Sequence, residues 1–501
     1  MIVHLASPQE AMHWLRARVT GTLHTDSRQV QPGDGFIAWP GASSDGRAHV
    51  RDARARGAVA CLVELAGVEP FALEGEDVAT YVGLKMATGL IAADWFAAPS
   101  KALDVVAFTG TNGKTSSAWW LANALSGLVR EPEHDTPIPC ALVGTLGMGI
   151  LPRLTMTGLT TPDPLRLQRA LRQFVDAGVR SCAIEASSIG LAEHRLEGTR
   201  IRVGVFTNFT QDHLDYHGTM EAYWQAKVAL FDWLGMEAAI INIDDPHGMQ
   251  LHASLEGRGL DLWSVSMRQE ARLQAQDLDL GGNGLRFVVV EGQEQYLLQT
   301  ALIGDYNVSN LLGVIAALRT LGIPLQAAVQ ACEHLEPVPG RMQRIAAPGV
   351  PLVAVDYAHT PDALAQALRA LRPVAAARGG QLWCIFGCGG ERDSSKRPLM
   401  GAAAQQGADW IVVTSDNPRS EPPEHIIHQI LQGTIAGTTL LVEPDRAAAI
   451  SEVLAEADAA DVVLIAGKGH EDYQETADGR RPFSDMAQAQ AALQRRGGGA
   501  L

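Results

Sequence analysis

Residues 103–125 read LDVVAFTGTNGKTSSAWWLANAL. The apolar run LDVVAF predicts a strand, and SSAWWLANALSGLV predicts a helix. Between them lies TGTNGKTS, residues 109–116. Its glycines let the backbone wrap a phosphate, and the helix start points N–H groups at it. Lys114 can reach the β- and γ-phosphates, and the Thr115 hydroxyl can bind Mg2+. The general phosphate loop has a glycine five residues before Gly113, where this chain has Phe108. The loop is therefore a shortened, specialised form. The plain alternative is a glycine turn carrying a surface lysine, but strand–loop–helix placement favours nucleotide binding.

Working outward, the apolar segments CAIEAS, VGVFTNF and AAIINID continue this block as strands joined by helical segments. LRFVVVEGQEQYLLQTALIG predicts a hairpin and NVSNLLGVIAALRTLG a helix. After EPVPGRMQRI, strands and helices alternate: PLVAVDYAHT, QLWCIFGCGG, ADWIVVTSDNP and DVVLIAGKGHE. Each apolar run ends in polar or glycine residues. That is the pattern of an α/β fold with a parallel sheet, in which ligands bind beyond the C-terminal strand ends. A chain of 501 residues exceeds one core. Domains are expected over 1–100, 101–336 and 337–501. Within the last of these, TSDNPRSEPP (414–423) predicts a turn at Asp416-Asn417-Pro418, with Pro422-Pro423 keeping a helix from starting at once. Arg419 just after the turn is either solvated or reads a negative charge on a ligand.

Apolar residues make up 47% and charged residues 19%, as in ordinary globular proteins. A net charge of −16 argues against holding nucleic acid by bulk electrostatics. The six cysteines are scattered, and the pair Cys384 and Cys388 has no second pair to complete a zinc site, so free thiols are expected. MIVHLASPQEAMHWLRARV lacks the layout of a signal peptide. The apolar stretch near 78–98 carries Lys85 and Asp94, so it is not expected to span a membrane. The terminal GGGAL is expected to fray.

The GTNGKT loop, taken with NFTQDHLDYHG, GDYNVSNLLG, PGRMQRI, VDYAHTPDAL, EASSIGLAEHR and DNPR, resembles the Mur ligases over nearly the whole chain. These are the ATP-dependent amide-forming enzymes of peptidoglycan synthesis. The resemblance implies an α/β fold of three domains. The first binds a UDP-sugar substrate, the second is a P-loop ATPase with a mainly parallel sheet, and the third is Rossmann-like and binds an amino acid. It implies ATP binding by Gly110, Thr111, Asn112, Gly113, Lys114, Thr115 and Ser116, with Asn307 and Asn310 near the adenine. Arg341 is expected at the terminal phosphate and Asp356 at the ribose. Lys114, Glu185, His213 and Lys227 are expected to be catalytic, and Thr115, Glu185, His213 and Lys227 to hold Mg2+. In the family that lysine is carbamylated, which turns a cation into a carboxylate-like anion. On residue chemistry alone, Lys227 would read as a lysine snorkelling from a helix.

Thr25, Ser27 and the loop WPGASSDGR match the nucleotide-sugar end of the family. Thr160, Thr161, Ser187, Glu193 and Arg195 match positions that touch the muramoyl peptide. Ile189 stands where other members often carry His or Gln and is given no role, and Glu193 stands where Gln is common. Arg392, Asp416, Asn417, Pro418, Arg419, Gly467 and Glu471 match the amino-acid site. Lysine ends in an ammonium, whereas meso-2,6-diaminopimelate ends in an amino-acid head with an extra carboxylate. A site for the latter needs a cation as well as an acid. Arg392 and Arg419 can supply cations and Glu471 an anion, and DNPR matches the diaminopimelate-adding members. The expected substrates are thus ATP, a UDP-muramoyl dipeptide and meso-diaminopimelate, used by a cytoplasmic monomer. The alternatives are a ligase adding L-lysine, a folylpolyglutamate-type synthetase, and a nucleotide-binding protein with no ligase role.

Overall fold

The computed structural model describes residues 2–41, 44–128, 138–280, 284–435 and 439–497. Ala42 and Ser43 of the WPGASSDGR loop, and residues 498–501 of the glycine-rich tail, lie outside the described residues. The chain divides into two compact units. One comprises Met1–Thr109, Leu125–Val205 and Ala226–Ala239, and the other Gly110–Ala124, Phe206–Gln225 and Ile240–Leu501.

The first unit opens with a five-stranded parallel sheet. Its order is Val3–Leu5, Val78–Tyr81, Ala60–Glu64, Gly35–Ala38 and Leu23–His24. The apolar stretch near 78–98 resolves into the strand Val78–Tyr81 and the helix Leu84–Trp95. That helix and Pro8–Arg16 bury Leu84, Ile91, Met12 and Leu15 against Ile37, Leu62 and Ala79 of the sheet. Further along, Ser181–Glu185 lies between Asp104–Thr109 and Cys140–Gly144, parallel to both. In that register Glu185 stands opposite Phe108, at the strand end that leads into the phosphate loop. Phe108 is fully buried, which explains why an apolar side chain occupies a position glycine would hold in the general motif.

Helix Lys114–Leu128 begins directly on the loop lysine, at the start of the second unit's segment 110–124. The expected hairpin is the antiparallel pair Leu285–Glu291 and Glu294–Thr300, and the expected helix is Tyr306–Thr320. A six-stranded sheet follows in the order Gln343–Ile345, Leu352–Asp356, Val462–Ala466, Leu382–Phe386, Trp410–Val413 and Leu440–Val442. Only Gln343–Ile345 runs antiparallel. Both faces are covered. Leu364, Leu368, Met400 and Ile427 pack on one, and Ile450, Val453 and Leu493 on the other. The continuous apolar runs of the central strands follow from this double burial. Helix Pro423–Leu431 starts on Pro423 itself. The proline pair does not delay it, because the first helical position needs no N–H and suits the fixed φ of proline.

All six cysteines are free and buried. Burial pushes the Cys388 thiol up to about 12, so it is an inert packing group. Among the described residues, no helix is long and apolar enough to cross a membrane.

Candidate active site

The phosphate loop is pinned by its own neighbours in the second unit. The Asn112 N–H donates to Asn208 Oδ1 (2.9 Å), while the Asn112 carbonyl accepts from Thr207 Oγ1 (2.6 Å) and Asn208 Nδ2 (3.1 Å). Gly113 has φ +87°, and a Cβ there would collide with the Asn310 side chain. Both constraints require glycine. Lys114 Nζ donates to the carbonyls of Gly110 (2.9 Å) and Thr111 (2.8 Å), which holds its ammonium over the loop.

Beside the loop opens a cleft. It is lined by Asn112, Gly113, Thr115 and Ser116, and also by Asn307, Asn310, Arg341 and Asp356. Residues more than two hundred positions apart, each expected at the nucleotide, thus share one cavity. Asn310 Nδ2 donates to Asn307 Oδ1 (3.1 Å), so the two amides orient each other. Arg341 Nη2 donates to Thr115 Oγ1 (3.2 Å), and its guanidinium lies over the Tyr357 ring at 4.4 Å. Its Nε is buried without a hydrogen-bond partner. Asp356 accepts from the backbone N–H groups of Met342 (2.7 Å) and Ala358 (2.8 Å). It thereby fixes the turn that presents Arg341. Each of its carboxylate oxygens keeps a further lone pair for a ligand hydroxyl. Burial pushes its carboxyl above the usual range despite the nearby Arg341 charge.

The strand ends of the six-stranded sheet form a second polar group. Lys468, fully buried, donates from Nζ to Asn417 Oδ1 (2.9 Å) and Glu471 Oε2 (2.9 Å), and Asn417 Nδ2 donates to Glu471 Oε2 (2.7 Å). Such a pairing is needed to keep a lysine in a dry site. Asp416 meets Gly467 so closely that a Cβ at Gly467 would collide with its carboxylate. Pro418 packs its carbonyl against Gly390. Arg419 takes a left-handed φ of +53°, pairs through Nε with Glu475 (3.3 Å) and donates from Nη1 to the Gly390 carbonyl (2.6 Å). A Cβ built on Gly389 would lie 3.2 Å from Arg419 Nη1 and 3.6 Å from Arg392 Cγ, so both arginines flank one glycine. Arg392 reaches toward Asp215 (3.9 Å).

This loop is preformed from behind. Arg446, with no exposed surface, pairs with the equally buried Asp485 (2.7 Å) and donates to the carbonyls of Ser415 (3.3 Å) and Ala466 (2.9 Å). Those carbonyls directly precede Asp416 and Gly467. Removing either charge would leave its partner buried and unpaired, at about 3–5 kcal/mol.

His213 caps the short helix Leu214–His217 from a left-handed φ of +53°. Its neighbour Asp212 is nearly buried and faces His213 (3.5 Å), His359 (3.5 Å) and Lys396 (3.8 Å). Burial opposes its charge, but the hydrogen bond from His359 and the charges of His359, His213 and Lys396 prevail. They hold the carboxyl well below the usual range. His359 Nδ1 donates to the Tyr357 carbonyl (2.8 Å), so both ring nitrogens meet oxygens. Sequence reading missed Asp212, Tyr357, His359, Lys396 and Lys468. For all but Lys396 the signal was present, because each lies within a motif or strand end already singled out, but their pairings join segments far apart in the chain.

The first unit carries its own cluster. Glu185, 1% exposed, accepts from the Thr145 N–H (2.7 Å) and Thr145 Oγ1 (3.2 Å). Thr160 Oγ1 meets Thr145 Oγ1 (3.0 Å). Thr161 Oγ1 donates to the Glu185 carbonyl (2.7 Å) and meets Ser187 Oγ (3.0 Å). Arg195 Nη1 donates to the Thr161 carbonyl (3.1 Å), and Thr25 Oγ1 to Asp163 (3.3 Å). Five of the expected substrate and catalytic positions (Thr160, Thr161, Glu185, Ser187 and Arg195) therefore lie in one hydrogen-bonded network, while Thr25 bonds to Asp163, two positions beyond Thr161. Ser27 starts a 3-10 turn capped by Asp26. Glu193 pairs with Lys85 Nζ at 2.7 Å. Lys227 lies on helix Met220–Val228 and is 1% exposed, unlike a snorkelling surface lysine.

Comparison with known proteins places these features in a lineage. The family models described as Mur ligase family, catalytic domain; Mur ligase middle domain; and Mur ligase, glutamate ligase domain match residues 21–84, 108–318 and 340–469. A UDP-N-acetylmuramoyl-L-alanyl-D-glutamate–2,6-diaminopimelate ligase from Acidovorax sp. (strain JS42) is 68% identical over 99% of this chain and 98% of its own. The protein of that name from Pseudomonas aeruginosa PAO1 is 44% identical over 94% of each chain. A solved structure of a ligase of that name shares 37% identity and a TM-score of 0.65, covering 95% of each chain. With models spread from residue 21 to residue 469 and relatives similar over nearly their whole length, the chain belongs to the Mur ligase family.

Proposed function

We propose that the chain is an ATP-dependent ligase that joins meso-2,6-diaminopimelate to UDP-N-acetylmuramoyl-L-alanyl-D-glutamate in peptidoglycan synthesis. The observation that carries the choice of amino acid is the pair Arg392 and Arg419 flanking Gly389, beside the Asn417–Lys468–Glu471 hook. A second carboxylate and a second ammonium on the incoming residue would each find an opposite charge there. Lysine would bring no carboxylate for the arginines.

The reaction needs the glutamyl carboxylate to be activated as an acyl phosphate and then attacked by an amine. The loop Gly110–Ser116, with Lys114, holds the phosphates, and Asn307, Asn310 and Asp356 hold the nucleoside. Arg341 brings a cation to the terminal phosphate. Thr25, Ser27, Thr160, Thr161, Ser187, Glu193 and Arg195 bind the UDP-muramoyl dipeptide. Asp416, Asn417, Pro418, Arg419, Arg392, Gly467 and Glu471 bind the amino acid. The Lys85 pairing offsets the charge that Glu193 would otherwise present to an anionic substrate.

The residues also suit Mg2+. Among the described residues no three His, Cys, Asp or Glu side chains form a metal cage. Mg2+ needs none, since it takes one or two carboxylates and completes its shell with phosphates and water. We assign Mg2+ binding to Thr115 and His213 in the second unit and to Glu185 and Lys227, as its carbamate, in the first; the ion would neutralise the phosphoryl oxygens. We also assign the UDP-sugar, ATPase and amino-acid roles to residues 1–100, 101–336 and 337–501, and a cytoplasmic, monomeric state.

The test is phosphate release with product mass. Release is expected only when ATP, the UDP-muramoyl dipeptide and meso-diaminopimelate are all present, with the UDP-muramoyl tripeptide as product. ATP hydrolysis indifferent to both other substrates would point to a nucleotide-binding protein instead. Turnover with folate and glutamate would point to a folylpolyglutamate-type enzyme. Within this reading, Arg419→Lys should raise the apparent KM for diaminopimelate by about 10-fold, because lysine cannot form the two-pronged contact. The KM for ATP should move by less than about 2-fold. Equal shifts for both substrates in initial-rate kinetics would count against a recognition role.

A further inference from the structure

His470 lies between the two polar groups described above and has no role in either. Its backbone packs on Gly340, next to Arg341, where a Cβ would collide with the His470 N. Its ring lies against Tyr357 (centroids 5.3 Å apart), the same ring that carries the Arg341 guanidinium at 4.4 Å. On its other side in the chain are Lys468 and Glu471, two members of the amino-acid hook. Its Nδ1 is buried and has no hydrogen-bond partner. Buried polar atoms without partners are uncommon and call for an explanation.

The neighbouring polar groups are already engaged. Glu471 Oε2 accepts from both Asn417 and Lys468, and His359 uses both nitrogens on the Tyr357 carbonyl and Asp212. Burial first, then the charges of Arg341 and Lys468, lower the His470 pKa to about 4, so the ring stays neutral near neutral pH. In the Nε2–H tautomer, Nδ1 is then an acceptor. Cations are abundant around Tyr357, and an uncommitted acceptor is what an incoming amine requires.

Resting on the function proposed above, we propose that His470 Nδ1 accepts an N–H hydrogen bond from the attacking amine of the diamino acid and directs it at the acyl phosphate. As the C–N bond forms, the C–O bond to phosphate breaks. The ammonium first loses one proton to solvent; the neutral amine then gives up one proton as it attacks, and that proton ends on the leaving phosphate. His470 orients the nitrogen and takes no net proton.

Three variants test this. His470→Ala should lower kcat for tripeptide formation by about 10-fold, the scale of one lost hydrogen bond, with the KM for ATP within about 2-fold of wild type. His470→Asn places an acceptor oxygen near the Nδ1 position and should recover most of kcat. His470→Gln, which reaches the Nε2 position instead, should not. Equal loss in the Asn and Gln variants at wild-type melting temperature would overturn the inference, as would undiminished turnover by His470→Ala. A rise in the KM for ATP matching the fall in kcat would overturn it too, because the ring would then be serving Arg341. Failure of the unaltered chain to make tripeptide would overturn the functional reading and this inference together.

Discussion

Lys227→Ala is expected to lower turnover by at least about 100-fold, the scale set by losing one group that stabilises transferring charge. A small carboxylate such as acetate should restore part of the loss. The expectation rests on where the lysine is. At 1% exposure its head cannot reach bulk water, and a buried ammonium is costly unless its charge is compensated or changed. Reaction of the neutral amine with CO2 would convert it to an N-carboxylate, reversing its sign and offering Mg2+ a hard oxygen donor. Alanine removes that donor and leaves space for an exogenous carboxylate. The checks are initial-rate phosphate release with and without acetate, and intact mass for the added carboxyl group. Undiminished turnover by the alanine variant would refute the carbamate role.

Lys114→Ala is expected to cost about 100- to 1,000-fold in turnover, because the phosphate loop loses its only side-chain cation. The backbone cradle should survive. Its geometry depends on Gly113 and on the hydrogen bonds of Asn112 to Thr207 and Asn208, none of which involves the lysine side chain. Nucleotide binding should therefore weaken less than turnover falls. Equilibrium binding of ATP measured beside initial rates separates the two effects. A variant retaining turnover within a few-fold of wild type would return Lys114 to the status of an ordinary surface lysine.

The phosphate loop was legible because three local signals agree: an apolar strand, glycines where the backbone must turn, and a helix beginning at Lys114. The strand ends of the last sheet were legible for the same reason, since a doubly covered parallel sheet writes itself as apolar runs ending in polar residues. What the sequence did not show are pairings between distant segments. Lys468 reads as a surface lysine between two glycines, and only the fold reveals it buried between Asn417 and Glu471. Arg446 and Asp485 lie in different helices with no motif to link them, yet they hold the two strand ends that present Asp416 and Gly467. Asp212 looked incidental beside His213, but its partners His359 and Lys396 are about 150 residues or more away. Pro423 was misread locally, because a proline that blocks the interior of a helix is well suited to its first position.

The DNPR loop is held from behind by Arg446 and from the side by Lys468, with Arg419 flanking Gly389 beside Arg392. The most direct measurement of the central claim is phosphate release by the unaltered chain with ATP and UDP-N-acetylmuramoyl-L-alanyl-D-glutamate, offering meso-diaminopimelate, L-lysine and L-ornithine in parallel. Diaminopimelate is expected to give a kcat/KM at least about 100-fold above the other two, since they leave the arginines without a carboxylate. Equal or faster turnover with lysine would contradict the account.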